Sequence, residues 1–262
     1  MNNVQEEILH IASFFSQKCL SKKIKYSLLG GSSLGAIRHK GFIPWDDDFD
    51  VILLPEDYEK LMQTFISLKD KNYFFLREGD KHYEMPFSKI MSRNLIFKEY
   101  NLKENQKFSG LYIDIMGFVY TYNSFFLRYL HFCFAKLLLI LFLYRRGYRT
   151  KILSKKILLF FASLLSPFLP NSYKLIHYFR SFSPRKTKFL GHFFGKAKFK
   201  KSVYPIEWFK NTELVDFENE KFPNTKFFKK YLKLRYGEEF MKIPDKNSKA
   251  RYPAHGEFIG NY

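Results

Sequence analysis

Apolar residues recur every three or four positions at Val4, Ile8, Ile11, Phe15 and Cys19, which predicts an opening helix with one face turned inward. Residues 24–29 read as a strand, followed by a Gly30-Gly31-Ser32 turn and a short helix ending near His39. The period then changes to two. Phe49, Val51 and Leu53 alternate with Asp48, Asp50 and Ile52, predicting a strand over 48–54. Pro55 opens a helix that buries Tyr58, Leu61, Met62 and Phe65. Short strands are expected at 73–77, 87–91, 95–98 and 112–116, a mixed region at 201–236 with helical Phe227, Phe228, Tyr231 and Leu234, and a polar loop from Pro244 onward. The order is that of an α/β protein with a mixed sheet.

Chemistry gathers in the first of these elements. A glycine pair beside a hydroxyl leaves backbone N–H groups unobstructed, which suits a phosphate at a helix start, so Gly30, Gly31 and Ser32 are candidate donor-binding residues. Asp46, Asp47, Asp48 and Asp50 follow, four acids within five positions. Such crowding is costly unless a cation lies among them. On a strand, Asp48 and Asp50 point to one side, where two carboxylates grip one ion or bridge two. Hard oxygen donors favour Mg²⁺ or Mn²⁺, and substrate phosphates supply the remaining ligands. For Asp46 and Asp47, an acidic turn capping nearby N–H groups is an equal reading. Asp114 stands alone in the apolar stretch 110–117. An acid there needs a cation or several donors, and it is the candidate third metal ligand or the base toward an attacking hydroxyl.

Other side chains carry two readings each. Arg38 and Lys40 suit donor phosphate or a helix end paired with Asp46. Lys89, in an apolar strand, suits a buried partner or a substrate contact. Trp45 either walls the donor pocket or anchors its loop. His39 and His255 lack ligand spacing.

The span from Leu29 to Asp50, with Gly-Gly-Ser, Leu34-Gly35-Ala36-Ile37-Arg38-His39, Gly41-Phe42-Ile43-Pro44-Trp45 and Asp-Asp-Asp-Phe-Asp, closely resembles the LicD family. The likeness resumes at Phe87-Ser88-Lys89-Ile90, at Tyr112-Ile113-Asp114-Ile115, and from Tyr204-Pro205-Ile206-Glu207-Trp208-Phe209 through Phe217-Glu218 to Tyr236-Gly237 and Met241-Lys242-Ile243-Pro244. It covers little of 120–200. An Arg that the family carries after a proline turn is matched by Lys249 or Arg251. The resemblance implies a nucleotidyltransferase-like fold and transfer of a phospho-substituent, typically phosphocholine, from a CDP-linked donor to a hydroxyl of a cell-surface glycan. Relatives of the fukutin type are similar and use CDP-ribitol. It also implies donor phosphate on Gly30, Gly31 and Ser32, metals on Asp48 and Asp50, and Asp114 as third carboxylate. Transfer of a nucleoside monophosphate is the alternative activity, since one site serves several transfers.

The middle of the chain differs. Residues 125–144 and 157–169 are almost wholly apolar, separated by Arg145, Arg146, Arg149, Lys151, Lys155 and Lys156. The first run has the ~20-residue length of a spanning helix. Arg128, His131 and Lys136 interrupt it, however, and a central Arg or Lys costs about 2.5–3.5 kcal/mol on insertion. A single span would also part the C-terminal block from the acidic site. The expectation is a helical hairpin in the membrane interface, its exposed apolar face rimmed by Arg145, Arg146, Lys155 and Lys156. Two buried helices of a subdomain, or a tight re-entrant pair, are the competing forms. Three regions follow: a catalytic core at 1–120, a basic helical insertion at 121–200, and a C-terminal part of the catalytic unit at 201–262.

Composition narrows the partners. The 262 residues are 46% hydrophobic, ample for a core, and 44 Lys and Arg against 25 Asp and Glu give a formal charge of +19. Such an excess suits nucleic acid, an anionic membrane or phosphorylated substrate. The basic residues accompany apolar runs rather than a groove, and three carboxylates would repel a nucleic-acid backbone, so nucleic acid is not expected. A non-catalytic basic protein on this fold is the remaining rival. Cys19 and Cys133 sit in apolar helical settings and are expected to be reduced. The first residues lack the basic and apolar regions of a signal peptide, and the expected place is the cytoplasm, peripheral at the inner face of the membrane.

Overall fold

The computed structural model describes residues 1–99, 110–184, 187–245 and 256–261. Helix α1 (Asn3–Ser21) starts on a capping box, Asn2 accepting the Gln5 N–H while the Gln5 side chain accepts from Asn2, and it buries Ile8, Ile11, Phe15 and Cys19. Strand β1 (Ser27–Leu28) is shorter than the apolar run, because the Lys25 N–H is taken by Asp57 Oδ1 at 2.9 Å. Helix α2 (Gly30–His39), strand β2 (Asp50–Leu53) and helix α3 (Pro55–Phe65) follow, with Tyr58, Leu61 and Phe65 of α3 buried. Asp48 therefore precedes the strand rather than opening it.

Strands β3 (Tyr73–Leu76), β4 (Ser88–Glu99) and β5 (Gly110–Gly117) complete the first region. The strands expected separately at 87–91 and 95–98 are one, with an irregular register between Met91 and Ile96 where the break was expected. The tail also departs from expectation. It holds strand β11 (Gly256–Asn261), paired antiparallel with β4, so it is not wholly a polar loop. The main sheet runs β1-β2-β5-β4-β11, with β3 also against β4. The β2–β5 pair is parallel and the others are antiparallel, giving the mixed sheet of an α/β protein.

Strand β2 is covered on both sides. Val51 and Leu53 join the core under α1 and α3, whereas Ile52 joins a second core built with Leu29, Leu34, Tyr204, Phe209 and Tyr231. Alternation therefore turns Asp50 toward the side closed by the C-terminal region. That region comprises helix α7 (Glu207–Lys210), the hairpin β9 (Thr212–Phe217) and β10 (Glu220–Thr225), and helix α8 (Phe228–Tyr236).

Between the two regions, β6 (Val119–Thr121), β7 (Phe189–Gly191) and β8 (Val203–Pro205) form a small antiparallel sheet that carries the helices α4 (Phe125–Arg145), α5 (Leu153–Leu165) and α6 (Ser172–Ser181). Helix α4 buries one stripe, His131, Ala135, Leu138 and Phe142, against α6 and Phe193, and leaves the opposite stripe exposed. Only Ala162 of α5 is buried. Two of the four basic residues expected to rim the apolar face are used internally. Arg145 donates to the carbonyls of Ser166, Leu169 and Pro170 and to the hydroxyls of Ser166 and Ser172, fixing the turn between α5 and α6. Arg146 stacks on Tyr83, 5.0 Å from its ring centre. A guanidinium has five donors in a fixed fork, and a turn rich in free carbonyls satisfies it better than solvent does. Helix α6 is tied down by Arg180, which donates to Glu78 Oε2 at 2.9 Å, while the Tyr58 hydroxyl donates to the same oxygen at 3.0 Å. Cys19 is buried and Cys133 half-buried, both as free thiols.

Candidate active site

Asp50 and Asp114 are register partners across the parallel β2–β5 pair, and Lys89 is the partner of Asp114 across the antiparallel β5–β4 pair. The three thus stand in a row on one sheet face. Lys89 is only 2% exposed, its ammonium lying 3.6 Å from Asp114 Oδ1 and 3.0 Å from the centre of the Tyr112 ring. The buried-partner reading of Lys89 describes this position, and the cation that an isolated strand Asp requires is here a lysine.

Helix α2 abuts the carboxylates. Gly30 adopts φ +55°, a left-handed conformation that glycine takes without strain. A Cβ on Gly30 would lie 3.3 Å from Asp50 Oδ2 and 3.8 Å from the Tyr236 hydroxyl, and one on Gly31 would lie 2.5 Å from Asp46 Oδ2. The glycines are therefore what allow the helix start to approach Asp46 and Asp50 so closely. Two of the expected phosphate contacts have protein partners. The Gly30 N–H donates to the Tyr231 hydroxyl at 2.8 Å, and buried Ser32 accepts the Asp50 N–H at 2.8 Å, locking the strand that carries the acid. Arg38 donates to the carbonyls of Phe240 and Lys242, at 3.0 and 3.2 Å, and so anchors the C-terminal segment to α2.

Electrostatics concentrate on Asp50. Burial, then the charges of Asp48, Asp114 and Asp46, push its carboxyl well above the usual carboxylate range, with Arg235 pulling the other way. Among the described residues, no group of three or more His, Cys, Asp or Glu side chains is disposed to hold a metal ion by itself. Carboxylate oxygens of Asp46 and Asp50 face the start of α2.

Sequence reasoning missed Arg235 and the polar part that Tyr231 and Tyr236 of α8 play at the site. Arg235 borders Tyr204, Tyr231, Tyr236 and Asp50, whose charges raise its pKa against the opposing effect of burial. Tyr236 is held protonated by burial and by the nearby Asp50, Asp46 and Asp48, against the pull of Arg235. A signal existed: Tyr231 and Arg235 place polar atoms one turn apart, with Tyr236 next to them, on a helix read for its apolar positions. Glu218 follows Phe217 at the turn between β9 and β10. It accepts the Phe42 N–H at 2.9 Å and its own N–H donates to Lys40, clamping the turn that leads into the acidic run. Phe217 packs edge-on against Phe42 and Phe49 beside it. Lys249, Arg251 and His255 lie outside the described residues.

Residues 23–136 match the family model of the LicD/FKTN/FKRP nucleotidyltransferase domain. A stretch of 65 residues is 45% identical to the lipopolysaccharide cholinephosphotransferase LicD of Haemophilus influenzae, covering 25% of this chain and 24% of that protein. Uncharacterized proteins of Rickettsia prowazekii and Rickettsia typhi are 42% identical over 50 residues, which is 19% of this chain and 19% and 16% of theirs. The likeness to these proteins therefore spans a quarter or less of their lengths, and the family match ends inside α4, before α5 and α6.

Proposed function

We propose, from the match of residues 23–136 to the LicD/FKTN/FKRP family, that the chain is a member of that family and transfers phosphocholine from a CDP-linked donor to a hydroxyl of a cell-surface glycan. The observation that carries the reading is the row Asp50–Asp114 beside the glycine-opened start of α2. The named activity of the Haemophilus relative supports the phosphocholine and the lipopolysaccharide-type acceptor.

In the proposed reaction, an acceptor hydroxyl attacks the phosphorus that bears choline. The bond from that phosphorus to the CMP oxygen breaks, CMP leaves, and the hydroxyl proton passes to a carboxylate. Asp114 is the proposed base or third carboxylate. Its pairing with Lys89 fixes its position toward the face shared with Asp50. Gly30 and Gly31 keep the helix start free of side chains, so a diphosphate can approach. The donor set fits a divalent cation of the Mg²⁺ or Mn²⁺ type. Asp48 and Asp50 would hold it, donor phosphate would complete the shell, and bound there it would neutralise phosphate charge. Arg235, beside Asp50, is the further cation available to the donor.

Incubation of the full chain with CDP-choline, Mg²⁺ and a glycan acceptor tests the proposal. The acceptor should gain phosphocholine and CMP should appear in equal amount. An acceptor that gains CMP instead would make this a nucleotidyltransferase, and no transfer from any CDP-linked donor would leave a binding protein.

A further inference from the structure

Residues 115–206 contain 17 Lys and Arg and not one Asp or Glu. The whole chain has a formal charge of +19, so nearly all of its basic excess belongs to the insertion. The same segment also exposes large apolar side chains. On α4 the outward stripe is Phe126, Leu130, Phe134 and Leu137, while α5 exposes Leu153 at 71%, Phe160 at 60% and Phe161 at 57%, and the turn after it exposes Phe168 at 86%. A contiguous apolar face of this extent marks a contact surface.

Basic side chains bracket the face at both ends. Arg149, Lys151, Lys155 and Lys156 are exposed at the connection of α4 to α5. At the other end, Phe125, Tyr129 and Phe199 line an open groove of about 530 Å³ with Lys198, Lys200 and Lys201. A position along the surface suits the geometry better than a span. Helix α4 is long and apolar enough to cross a bilayer, yet its stripe of His131, Ala135, Leu138 and Phe142 is buried against the rest of the insertion. The 13 residues of α5 reach about 20 Å, short of the ~30 Å hydrocarbon core.

We propose that the α4–α5 hairpin docks on the surface of an anionic lipid bilayer, lying in its interface with the apolar face down and the lysines on the head groups. Charge selects this occupant. A second copy of the chain would bring like-charged lysines together, and a nucleic acid has no use for exposed Leu and Ile side chains. The inference is independent of the transferase reading, because it concerns binding alone.

Co-sedimentation of the full chain with vesicles tests it, using pure phosphatidylcholine and phosphatidylcholine mixed with phosphatidylglycerol. Binding should be at least ~10-fold stronger to the anionic vesicles and should weaken as salt rises. Lys155→Glu with Lys156→Glu should weaken it by about 5-fold or more per site. Phe160→Asp with Phe161→Asp, at exposed positions, should remove it without lowering the melting temperature. Should the aspartates disturb folding, the glutamate pair decides alone. Absence of binding at low salt, binding indifferent to both variant pairs, a dimer dispersed by the aspartates in place of vesicle binding, or displacement from vesicles by single-stranded nucleic acid would each overturn the proposal.

Discussion

Asp50 and Asp114 are held side by side on parallel strands with Asp48 and Asp46 near, and Arg235 and Lys89 oppose the accumulated charge. Folding keeps these acids together at an electrostatic cost, as a site evolved for chemistry does. Asp50→Asn removes the crowded charge but keeps the shape. Transfer should fall by ~100-fold or more while the melting temperature stays level or rises. Retained turnover, measured as CMP release, would remove Asp50 from the mechanism.

Gly31 tests the approach of helix to acid. In Gly31→Ala the new methyl would sit 2.5 Å from Asp46 Oδ2, so either the carboxylate or the helix start must move. Donor affinity, measured by calorimetry, should drop by at least ~10-fold with a stability loss of only about 1–3 kcal/mol. Unaltered affinity would show that the donor does not reach this end of α2.

The ion pair of Glu78 and Arg180 is largely buried between the core and α6. Arg180→Met alone should cost about 3–5 kcal/mol, because Glu78 is left charged without its partner. Adding Glu78→Gln to that variant should recover much of the loss. Urea denaturation of the two single variants and the double variant measures the coupling.

Buried His192 has its pKa lowered to about 3 by desolvation, then by the charges of Arg235 and Lys136. Below its ordinary value the unfolded chain takes up a proton that the native state refuses, so stability falls as the pH drops from about 6.5 toward 3. Its share of the loss should approach about 2 kcal/mol at pH 5. In His192→Gln the decline over that window should be shallower by this amount in denaturant titrations. Parallel curves for the two proteins would mean that His192 stays accessible to protons.

Most of the core was legible in the sequence because its signals are local. The alternation of Phe49, Val51 and Leu53 fixes which way Asp50 points, and the spacing of Tyr58, Leu61 and Phe65 fixes the face of α3. What escaped depends on distant partners. Tyr231 reaches Gly30 across 201 positions, and no local pattern reports such a bond. Arg145, between two apolar runs, reads as a lipid-facing charge, but the carbonyls that claim it lie more than 20 residues onward. Strand β11 is short and glycine-bearing, and its pairing with β4 carries no apolar repeat of its own.

The bond between Arg180 and Glu78 also bears on descent. Glu78 precedes β4 and Arg180 stands in α6, 102 positions onward, so loss of either leaves the other's charge without its ionic partner. A relative that has lost α6 should carry an uncharged residue where this chain has Glu78, and a lineage acquiring the helix should change both positions in step. The two sites would then vary together among relatives, as a matched substitution that tracks the presence of α6.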